Sequence, residues 1–478
     1  MNKNINNNYP VEFNSMFREY DIRGHVSDAE LNPDNVYKIV KAYSVFLKKR
    51  NISKAVVGYD NRECSPSFAE ATIKALRECG IDVWFIGLTI TPVVYYAQYY
   101  YKCEGAVMIT ASHNPSDWSG FKFAKGYSET LEPDDIIEVY NYLDKDLDNK
   151  CEFGNLIEDN IRDVYVNEIV SRIKMGPKRP KILIDAGNGG AGIFAYEIMQ
   201  RLGCLTFQLN CDPDITYPHY FPNPSDMHVR ERVREVLLHP YIKADFAISF
   251  DGDGDRIGVI DGEGNDIWSD IILAVLAKQL LAKHPGAKIV YDVKCSKTLE
   301  EVILACGGTP VMWKTGHSYI KSKMHEIKAE LAGERSGHVF YGGEDYYGFD
   351  DAMFVAAKFI EYMSYQEETL SEIISSFPKY VASPEIKAYC RDDLKYEVAD
   401  KITSQLKVMY PGKVCDISGA RVEFENGWGL ARASSNMPEI VLIFEGTTYD
   451  EMLKIRKVFK DVLSQYPEIS EDWKNDVV

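Results

Sequence analysis

Three aspartates, Asp251, Asp253 and Asp255, occupy every second position of one short stretch, with a glycine in each gap. Glycine lets the backbone turn tightly, so all three carboxylates can face one point. Such a loop repels itself unless a positive charge lies within it, and carboxylate oxygens suit hard divalent cations. We therefore expect Mg²⁺ in this loop, with Arg256 beside it and one ligand still to come from elsewhere.

Two other interpretations compete for this loop. A solvated acidic turn is common for an isolated Asp-Gly-Asp, but the third Asp and Arg256 disfavour it. A calcium loop of the EF-hand type is the nearest rival, but no Glu follows at the required distance. The apolar run 245–250 predicts a strand before the loop, and open α/β sheets bind ligands at the carboxyl ends of strands. Magnesium remains the preferred occupant.

Ser112 is the candidate nucleophile or phosphate carrier. It follows the apolar run 106–109, and Pro115 stops that strand, so we expect the hydroxyl to be exposed on a loop. The neighbouring His113 invites a serine-hydrolase interpretation. However, adjacent loop residues rarely reach each other, and the chain lacks a G-x-S-x-G motif.

A phosphate on Ser112 would supply the missing ligand of the magnesium site. Phosphoryl transfer then needs in-line geometry, a metal to neutralise developing charge, and cations around the equatorial oxygens. Arg256 and Lys122 are candidates for those cations.

Two further polar loops suit a phosphorylated sugar. Glu334, Ser336 and His338 alternate along one loop and offer groups that bind sugar hydroxyls, although a plain polar turn is the alternative. The other loop combines a fork-shaped cation with short hydroxyl and amide donors, which suits a phosphate that does not react. A hairpin loop is the alternative for these residues, which are Arg432, Ser434, Ser435 and Asn436.

The composition is that of an ordinary globular protein with several domains. The chain has 478 residues, more than one core holds, with 45% apolar and 26% charged residues. Its net charge of −18 argues against nucleic acid or an anionic membrane as the main partner. The ten cysteines show no C-x-x-C or metal-ligand spacing, which favours reduced thiols and a cytoplasmic location. We expect no signal-like or membrane-spanning segment.

Strand-helix-strand units recur three times. Each begins with a short apolar strand ending in Asp, at residues 55–60, 181–185 and 288–292. A helix, a glycine as its C-terminal cap and a second strand follow each time. One polar loop lies downstream of each unit, so three similar domains would bring their loops to a common place. This pattern predicts an α/β fold.

The last part of the chain breaks the pattern. Residues 378–384 indicate a linker. A hairpin with its turn at residues 425–427, a strand over 440–444 and an amphipathic helix from Tyr449 to about Gln465 predict a smaller α+β domain. The predicted domains are 9–162, 163–265, 266–377 and 378–478.

Together these segments resemble the α-D-phosphohexomutase superfamily, specifically its bacterial phosphomannomutase/phosphoglucomutase branch. The resemblance covers nearly the whole chain, and its motifs follow the order found in the family. They lie at residues 17–24, 110–115, 251–256, 292–295, 313–318, 333–338, 348–351 and 432–438.

The resemblance implies three similar α/β domains with mixed sheets and a smaller α+β domain, arranged around a central active-site cleft. It implies a resting phosphoserine at Ser112 and one Mg²⁺ per subunit, held by that phosphate with the three aspartates. The expected reaction interconverts hexose 1-phosphate and hexose 6-phosphate through a bound hexose 1,6-bisphosphate, which also acts as activator. A hinge near Ser383 would let the fourth domain close over the substrate.

The resemblance also assigns roles to individual residues. The expected catalytic residues are Ser112, Arg23, Lys122, Arg256 and His317, of which Arg23 and Lys122 are candidates for proton handling. The expected substrate-binding residues are Tyr20, Lys294, Glu334, Ser336, His338, Arg432, Ser434, Ser435 and Asn436.

Several alternatives stay open at this point. A phosphatase or kinase lacks any Walker or kinase motif here, and a sugar-phosphate-binding protein without activity should lack Ser112 or an aspartate. A phosphoglucosamine mutase is disfavoured because Arg335 replaces the Gln usual in that branch. Mannose and glucose are not distinguished. The expected partners are small hexose phosphates, with no nucleic acid or membrane, and the expected state is a monomer or weak homodimer.

Overall fold

The computed structural model of the chain describes residues 11–143, 152–435 and 437–475. These residues form four β-sheets, and helices pack against each of them. We refer to each sheet with its helices as a unit. The predicted class, three α/β units with mixed sheets and a smaller C-terminal unit, is confirmed.

The first unit carries the serine loop after its strand β4. Its elements are α1 (Val11–Ser15), β1 (Ile22–His25), α2 (Pro33–Lys49), β2 (Lys54–Tyr59), α3 (Ser65–Glu78), β3 (Asp82–Leu88), α4 (Thr91–Tyr101), β4 (Gly105–Ile109), β5 (Trp118–Gly126), β6 (Glu129–Thr130), α5 (Pro133–Tyr140) and β7 (Leu156–Glu158). The strand order is β1-β5-β4-β2-β3-β7, with β6 paired to β5. Because β2 is parallel to β4 while β5 is antiparallel to it, the sheet is mixed.

The second unit carries the aspartate loop between β10 and β11. Its elements are α6 (Arg162–Arg172), β8 (Lys181–Asp185), α7 (Ala191–Arg201), β9 (Leu205–Leu209), α8 (Met227–Leu237), β10 (Phe246–Phe250), β11 (Ile257–Asp261) and β12 (Asp266–Ile267). The strand order is β12-β11-β10-β8-β9. Every residue of β10 is buried, as expected for an apolar run in a sheet covered on both faces.

The third unit carries the predicted sugar loop between β15 and β16. Its elements are α9 (Ser269–Lys283), β13 (Lys288–Asp292), α10 (Lys297–Ala305), β14 (Thr309–Trp313), α11 (His317–Ile327), β15 (Leu331–Gly333), β16 (Val339–Tyr341), α12 (Ala352–Met363) and α13 (Leu370–Ser375). The strand order is β14-β13-β15-β16.

The C-terminal unit carries the predicted phosphate loop after β21. Its elements are β17 (Val381–Ala382), β18 (Ile386–Tyr389), α14 (Lys395–Met409), β19 (Val414–Cys415), β20 (Ala420–Phe424), β21 (Gly427–Ala433), β22 (Glu439–Gly446), α15 (Tyr449–Leu463) and a 3₁₀ turn (Asp472–Asn475). The strand order is β17-β22-β21-β20-β19, with β18 also paired to β22.

The apolar cores show how the units are joined. One buried cluster runs through the first three units and includes Val56, Ile184 and Ile289. The C-terminal unit has its own cluster. Among the clusters of the described residues, a small one joins it to the third unit, and its buried members are Val293, Trp428, Leu430 and Ile443.

Local signals predicted the strands well and the linker less well. β8 and β13 have the bounds expected from their apolar runs ending in Asp, and the helix-capping glycines Gly80, Gly203 and Gly307 have positive φ. The predicted linker 378–384 is wrong in part, because β17 lies within it and pairs with β22. In the part of the chain described, no helix is both long enough and apolar enough to span a bilayer.

Candidate active site

A cavity of about 430 Å³ lies where the four units meet. The predicted residues that line it are Tyr20, Arg23, Lys122, Arg256, Lys294, His317, Glu334, Ser336, His338, Arg432, Ser434 and Ser435. Ser112 and the three aspartates are buried beside this wall, in contact with the lining residues His113 and Lys122. Asn436 lies outside the described residues.

The aspartate loop has the geometry of a cation site. Asp251, Asp253 and Asp255 are fully buried, and one carboxylate oxygen from each lies within 4.8 Å of the others. The backbone N–H groups of Asp255 and Arg256 donate to Asp251 Oδ1, at 3.1 Å each. Among the described residues, Asp253 Oδ1 and Asp255 Oδ1 are buried without a hydrogen-bond partner. Because buried carboxylate oxygens need a partner, this donor set fits Mg²⁺.

Lys122 supplies positive charge to this loop. Its Nζ donates to Asp253 Oδ2 at 2.7 Å and also to Asp255 Oδ2. Although burial opposes the charged form of Asp253, the ammonium of Lys122 holds the pKa of that carboxyl well below its usual range. Thr91 donates a further bond of 2.6 Å to Asp253 Oδ2.

Ser112 lies against the aspartate loop and not on an open surface. It is 2% exposed, so the prediction of an exposed hydroxyl is wrong. The reason is that the aspartate loop packs over it, and Ser112 Oγ donates to Asp251 Oδ2 at 2.6 Å. The residue has a φ of +53°, a strained left-handed conformation for a serine.

The same backbone conformation brings Ser112 and His113 together. His113 Nδ1 lies 3.1 Å from Ser112 Oγ, so these neighbours make the contact that adjacent loop residues were expected to make only rarely. Burial and the nearby charge of Arg256 hold the pKa of His113 well below its usual value. The imidazole is therefore neutral.

Two arginines donate hydrogen bonds to the serine loop. Arg62 is buried and donates to the carbonyls of Ser112, at 3.0 Å, and Asn114, at 2.7 Å. Arg23 donates to Ala111 O and to Asn114 Oδ1, at 3.1 Å each. Burial acts to lower the pKa of Arg23, but Asp21 at 2.7 Å raises it above its usual value. Arg23 is thus a fixed cation.

The predicted sugar loop places its groups in the cavity wall. Glu334 Oε1 accepts from Gly316 N at 2.5 Å, and burial raises the pKa of Glu334. His338 lies between two groups, with its Nδ1 3.0 Å from Asp350 Oδ2 and its Nε2 accepting from Arg256 Nε at 3.0 Å. This arrangement places the imidazole proton on Nδ1.

His317 differs from His338 in having no fixed partner. Both of its ring nitrogens are buried without a hydrogen bond to any described residue. Burial and the charge of Lys321 hold its pKa well below the usual value. Its ring stands edge-on to Tyr20, with centroids 4.9 Å apart. A neutral imidazole in the cavity wall can accept or donate a proton on contact with substrate.

The other end of the cavity is rich in cations. Arg432 donates to Ser435 Oγ at 3.4 Å, and Lys294 Nζ lies 3.2 Å from Glu385 Oε2. Burial acts to lower the pKa of Lys294, but Glu385 raises it, so the ammonium is charged. Lys387 lies in the same wall.

Sequence reasoning missed several residues of this cavity. Among them are Glu385 and Lys387, which lie outside every motif quoted above.

Comparison with known proteins gives one consistent result. Models described as phosphoglucomutase/phosphomannomutase alpha/beta/alpha domains I, II and III match residues 14–150, 163–264 and 268–380. The model of the C-terminal domain of the same family matches residues 385–462.

Individual relatives match almost end to end. A phosphomannomutase/phosphoglucomutase of Pseudomonas aeruginosa is 37% identical over 450 residues, covering 94% of this chain and 95% of that protein. A phosphoglucomutase of Neisseria meningitidis serogroup A is 36% identical over 461 residues, covering 95% and 98%. The crystal structure of a phosphoglucomutase/phosphomannomutase family protein from Burkholderia thailandensis superposes with a TM-score of 0.86 at 34% identity, covering 94% and 97%.

Proposed function

The chain belongs to the phosphoglucomutase/phosphomannomutase family, and we propose on that basis that it interconverts hexose 1-phosphate and hexose 6-phosphate. It is an isomerase that moves a phosphoryl group within one molecule. The observation that supports this proposal most directly is the 2.6 Å hydrogen bond from Ser112 Oγ to Asp251 Oδ2, beside a buried cluster of three carboxylates. A serine in that position is suited to carry phosphate next to a cation.

Ser112 carries the transferred phosphoryl group in this proposal. Asp251, Asp253 and Asp255 would hold one Mg²⁺ together with that phosphate, since two of their buried oxygens lack a hydrogen-bond partner among the described residues. When bound, the ion neutralises charge on the transferring group. Lys122 and Arg256 stand beside the loop as further cations for the equatorial oxygens.

The first transfer breaks the bond between phosphorus and Ser112 Oγ and forms one between phosphorus and the free sugar hydroxyl. The hydroxyl proton passes to His317, whose ring nitrogens have no hydrogen-bond partner among the described residues. Ser112 Oγ leaves as an alkoxide, whose charge a bound Mg²⁺ would neutralise until the second phosphoryl group returns to it and His317 gives the proton back to the sugar oxygen. Arg23 and Lys122, the residues predicted to handle protons, have raised pKa values because of their aspartate partners. We therefore assign them to charge stabilisation.

The bound product of this step is a hexose 1,6-bisphosphate. It must turn so that its other phosphate faces Ser112 and returns to it, which restores the phosphoserine. Lys294, Arg432, Ser434 and Ser435 hold whichever phosphate is not reacting, and Asn436 remains part of this prediction. Glu334 and Ser336 bind sugar hydroxyls in both orientations. Free bisphosphate would act as activator by phosphorylating Ser112.

A coupled assay tests this function. Glucose 1-phosphate and mannose 1-phosphate are supplied separately with Mg²⁺ and a trace of glucose 1,6-bisphosphate, and intact mass reports phosphate on the protein. We expect Ser112→Ala to abolish turnover and phosphate loading, because it removes the hydroxyl that bonds Asp251 Oδ2 at 2.6 Å. Ser44→Ala, a buried serine that donates to Val40 O within α2, is the control. Turnover by Ser112→Ala at the control rate would refute the proposal.

Charge, cavity lining and cysteine state bear on the partners and the location of the enzyme. The net charge of −18 and a cavity lined by cations support small hexose phosphates as partners, with neither nucleic acid nor membrane. The cysteines in the described ranges are free thiols, which supports a cytoplasmic enzyme. Size-exclusion chromatography with light scattering tests the expected monomer or weak homodimer.

A further inference from the structure

Arg421 is a buried arginine of the C-terminal unit that reaches across to the third unit. It lies in β20, is 1% exposed and is not part of the cavity wall. Its Nη1 donates to Val293 O and to Cys295 O, at 2.8 Å each. Those two carbonyls flank Lys294, so one guanidinium fixes the backbone on both sides of that lysine.

Arg421 is itself rigidly held. Its guanidinium stacks on the ring of Trp428, 3.8 Å from the centroid, and its Nε donates to Glu423 Oε1 at 2.7 Å. Trp428 Nε1 donates at 2.7 Å to Glu445 Oε1, which also accepts from Lys297 N at 2.9 Å. The bonds from Arg421 and Lys297 both cross between the third and the C-terminal unit. A planar, stacked guanidinium has little freedom to follow its partners if they move.

Lys294 is held by the C-terminal unit at its other end too. Its Nζ projects into the cavity and lies 3.2 Å from Glu385, at the start of that unit. Although Lys294 follows β13 of the third unit, its backbone and its ammonium are both tied across the interface. The charge that grips phosphate is therefore correctly placed only when the C-terminal unit is docked.

We infer that Arg421 is a positioning residue for substrate binding and acts through Lys294. This inference rests on the proposed function only in taking a sugar phosphate as the ligand. Arg421 contacts no substrate. Its effect comes from aligning the Lys294 ammonium with the Arg432 guanidinium, and a displacement of about 1 Å in such a grip weakens it strongly.

A double-mutant cycle separates positioning from a merely structural role. Binding of glucose 1-phosphate is measured by calorimetry in a Ser112→Ala background, so the result does not depend on turnover. Arg421→Lys keeps the charge but cannot bond both carbonyls while stacked, and we expect it to weaken binding about tenfold. In combination with Lys294→Met, the same change should weaken binding no further. Equal weakening in both backgrounds would overturn the inference.

Two further variants complete the experiment. Arg456→Lys is the control, because its guanidinium donates to Trp473 O of the same unit at 3.3 Å and the residue is not part of the cavity wall, so this variant should bind glucose 1-phosphate like the parent. If Arg421→Lys fails to fold, Trp428→Phe takes its place. This change removes the hydrogen bond from Trp428 to Glu445 and so loosens the ring on which Arg421 stacks. The double-mutant cycle with Lys294→Met is then repeated with Trp428→Phe. Unchanged binding in a folded Arg421→Lys protein would also contradict the inference. If the natural protein binds glucose 1-phosphate but does not turn it over, the proposed function is refuted and this inference still stands.

Discussion

Replacing Gly252 with alanine tests whether the spacing between the aspartate loop and Ser112 controls turnover. A Cβ at residue 252 would lie 2.6 Å from the carbonyl oxygen of Ser112. Carbon and carbonyl oxygen approach to about 3.3 Å in close contacts, so the two loops would have to separate by roughly 0.7 Å. The obstructing oxygen belongs to the backbone, and therefore no change of rotamer relieves the contact.

The structure sets the size of the effect. Overpacking of this kind costs about 1–3 kcal/mol of unfolding free energy, which a protein of this size should survive. A shift approaching 1 Å at reacting atoms costs up to roughly a hundredfold in rate, so we expect kcat to fall about 30- to 100-fold. The KM for glucose 1-phosphate should change little, because the phosphate grip that we propose at Lys294 and Arg432 lies at the other end of the cavity.

The assay is the coupled turnover measurement at saturating Mg²⁺, with thermal unfolding as a check on folding. Gly190→Ala is the matched control. Its Cβ would meet a side-chain methyl of Ile90 at 3.3 Å, and its φ of −64° suits any residue. Equal kcat values for Gly252→Ala and Gly190→Ala, both folded, would show that this spacing does not control the reaction.

Two other predictions concern charge. Glu385→Gln removes the carboxylate that lies 3.2 Å from Lys294 Nζ. Calorimetry should then show glucose 1-phosphate binding about two- to fivefold tighter, the range of a partly exposed ion pair, and unchanged affinity would mean that Glu385 does not compete with phosphate. Burial raises the pKa of Asp351 to about 6, so stability from this group is present below pH 4 and is lost as pH rises through 6. Relative to the natural protein, Asp351→Asn should gain about 1.4 kcal/mol of unfolding free energy between pH 5 and pH 7.5 in urea titrations, and a constant difference would contradict the assignment.

Features that depend on neighbouring residues could be predicted from the sequence. An apolar run ending in Asp gave β8 and β13 at their observed bounds, because strand formation and its end are local choices. The glycine at the end of each helix was also predicted correctly, because a positive φ at that position favours glycine. The aspartate spacing brought three carboxylates together for the same reason.

Features that depend on contacts between distant parts of the chain could not be predicted from the sequence. Ser112 is buried because Asp251 and Gly252, far along the chain, pack against it. Glu385 belongs to the cavity because it meets Lys294 across an interface between units. Neither contact leaves a pattern in the residues beside it. The sequence alone therefore predicted an exposed serine and assigned no role to Glu385, which follows the predicted linker.

The contacts between the units bear on how the proposed bisphosphate intermediate could turn in the cavity. The serine end of the cavity rests on a core shared by three units, whereas the phosphate end is assembled across a small cluster around Val293 and Trp428. The wall that yields more easily is therefore the one that belongs to the C-terminal unit.

The contacts of the connecting segment bear on the predicted hinge near Ser383. Ser383 is tied to β22, donating from N to Phe444 O at 2.7 Å, so it moves with the C-terminal unit. Tyr380 is tied instead to α10 of the third unit, where its hydroxyl donates to Glu301 Oε1 at 2.6 Å. Val381 already pairs with β22. If the C-terminal unit moves as one body, the chain must bend between Tyr380 and Val381.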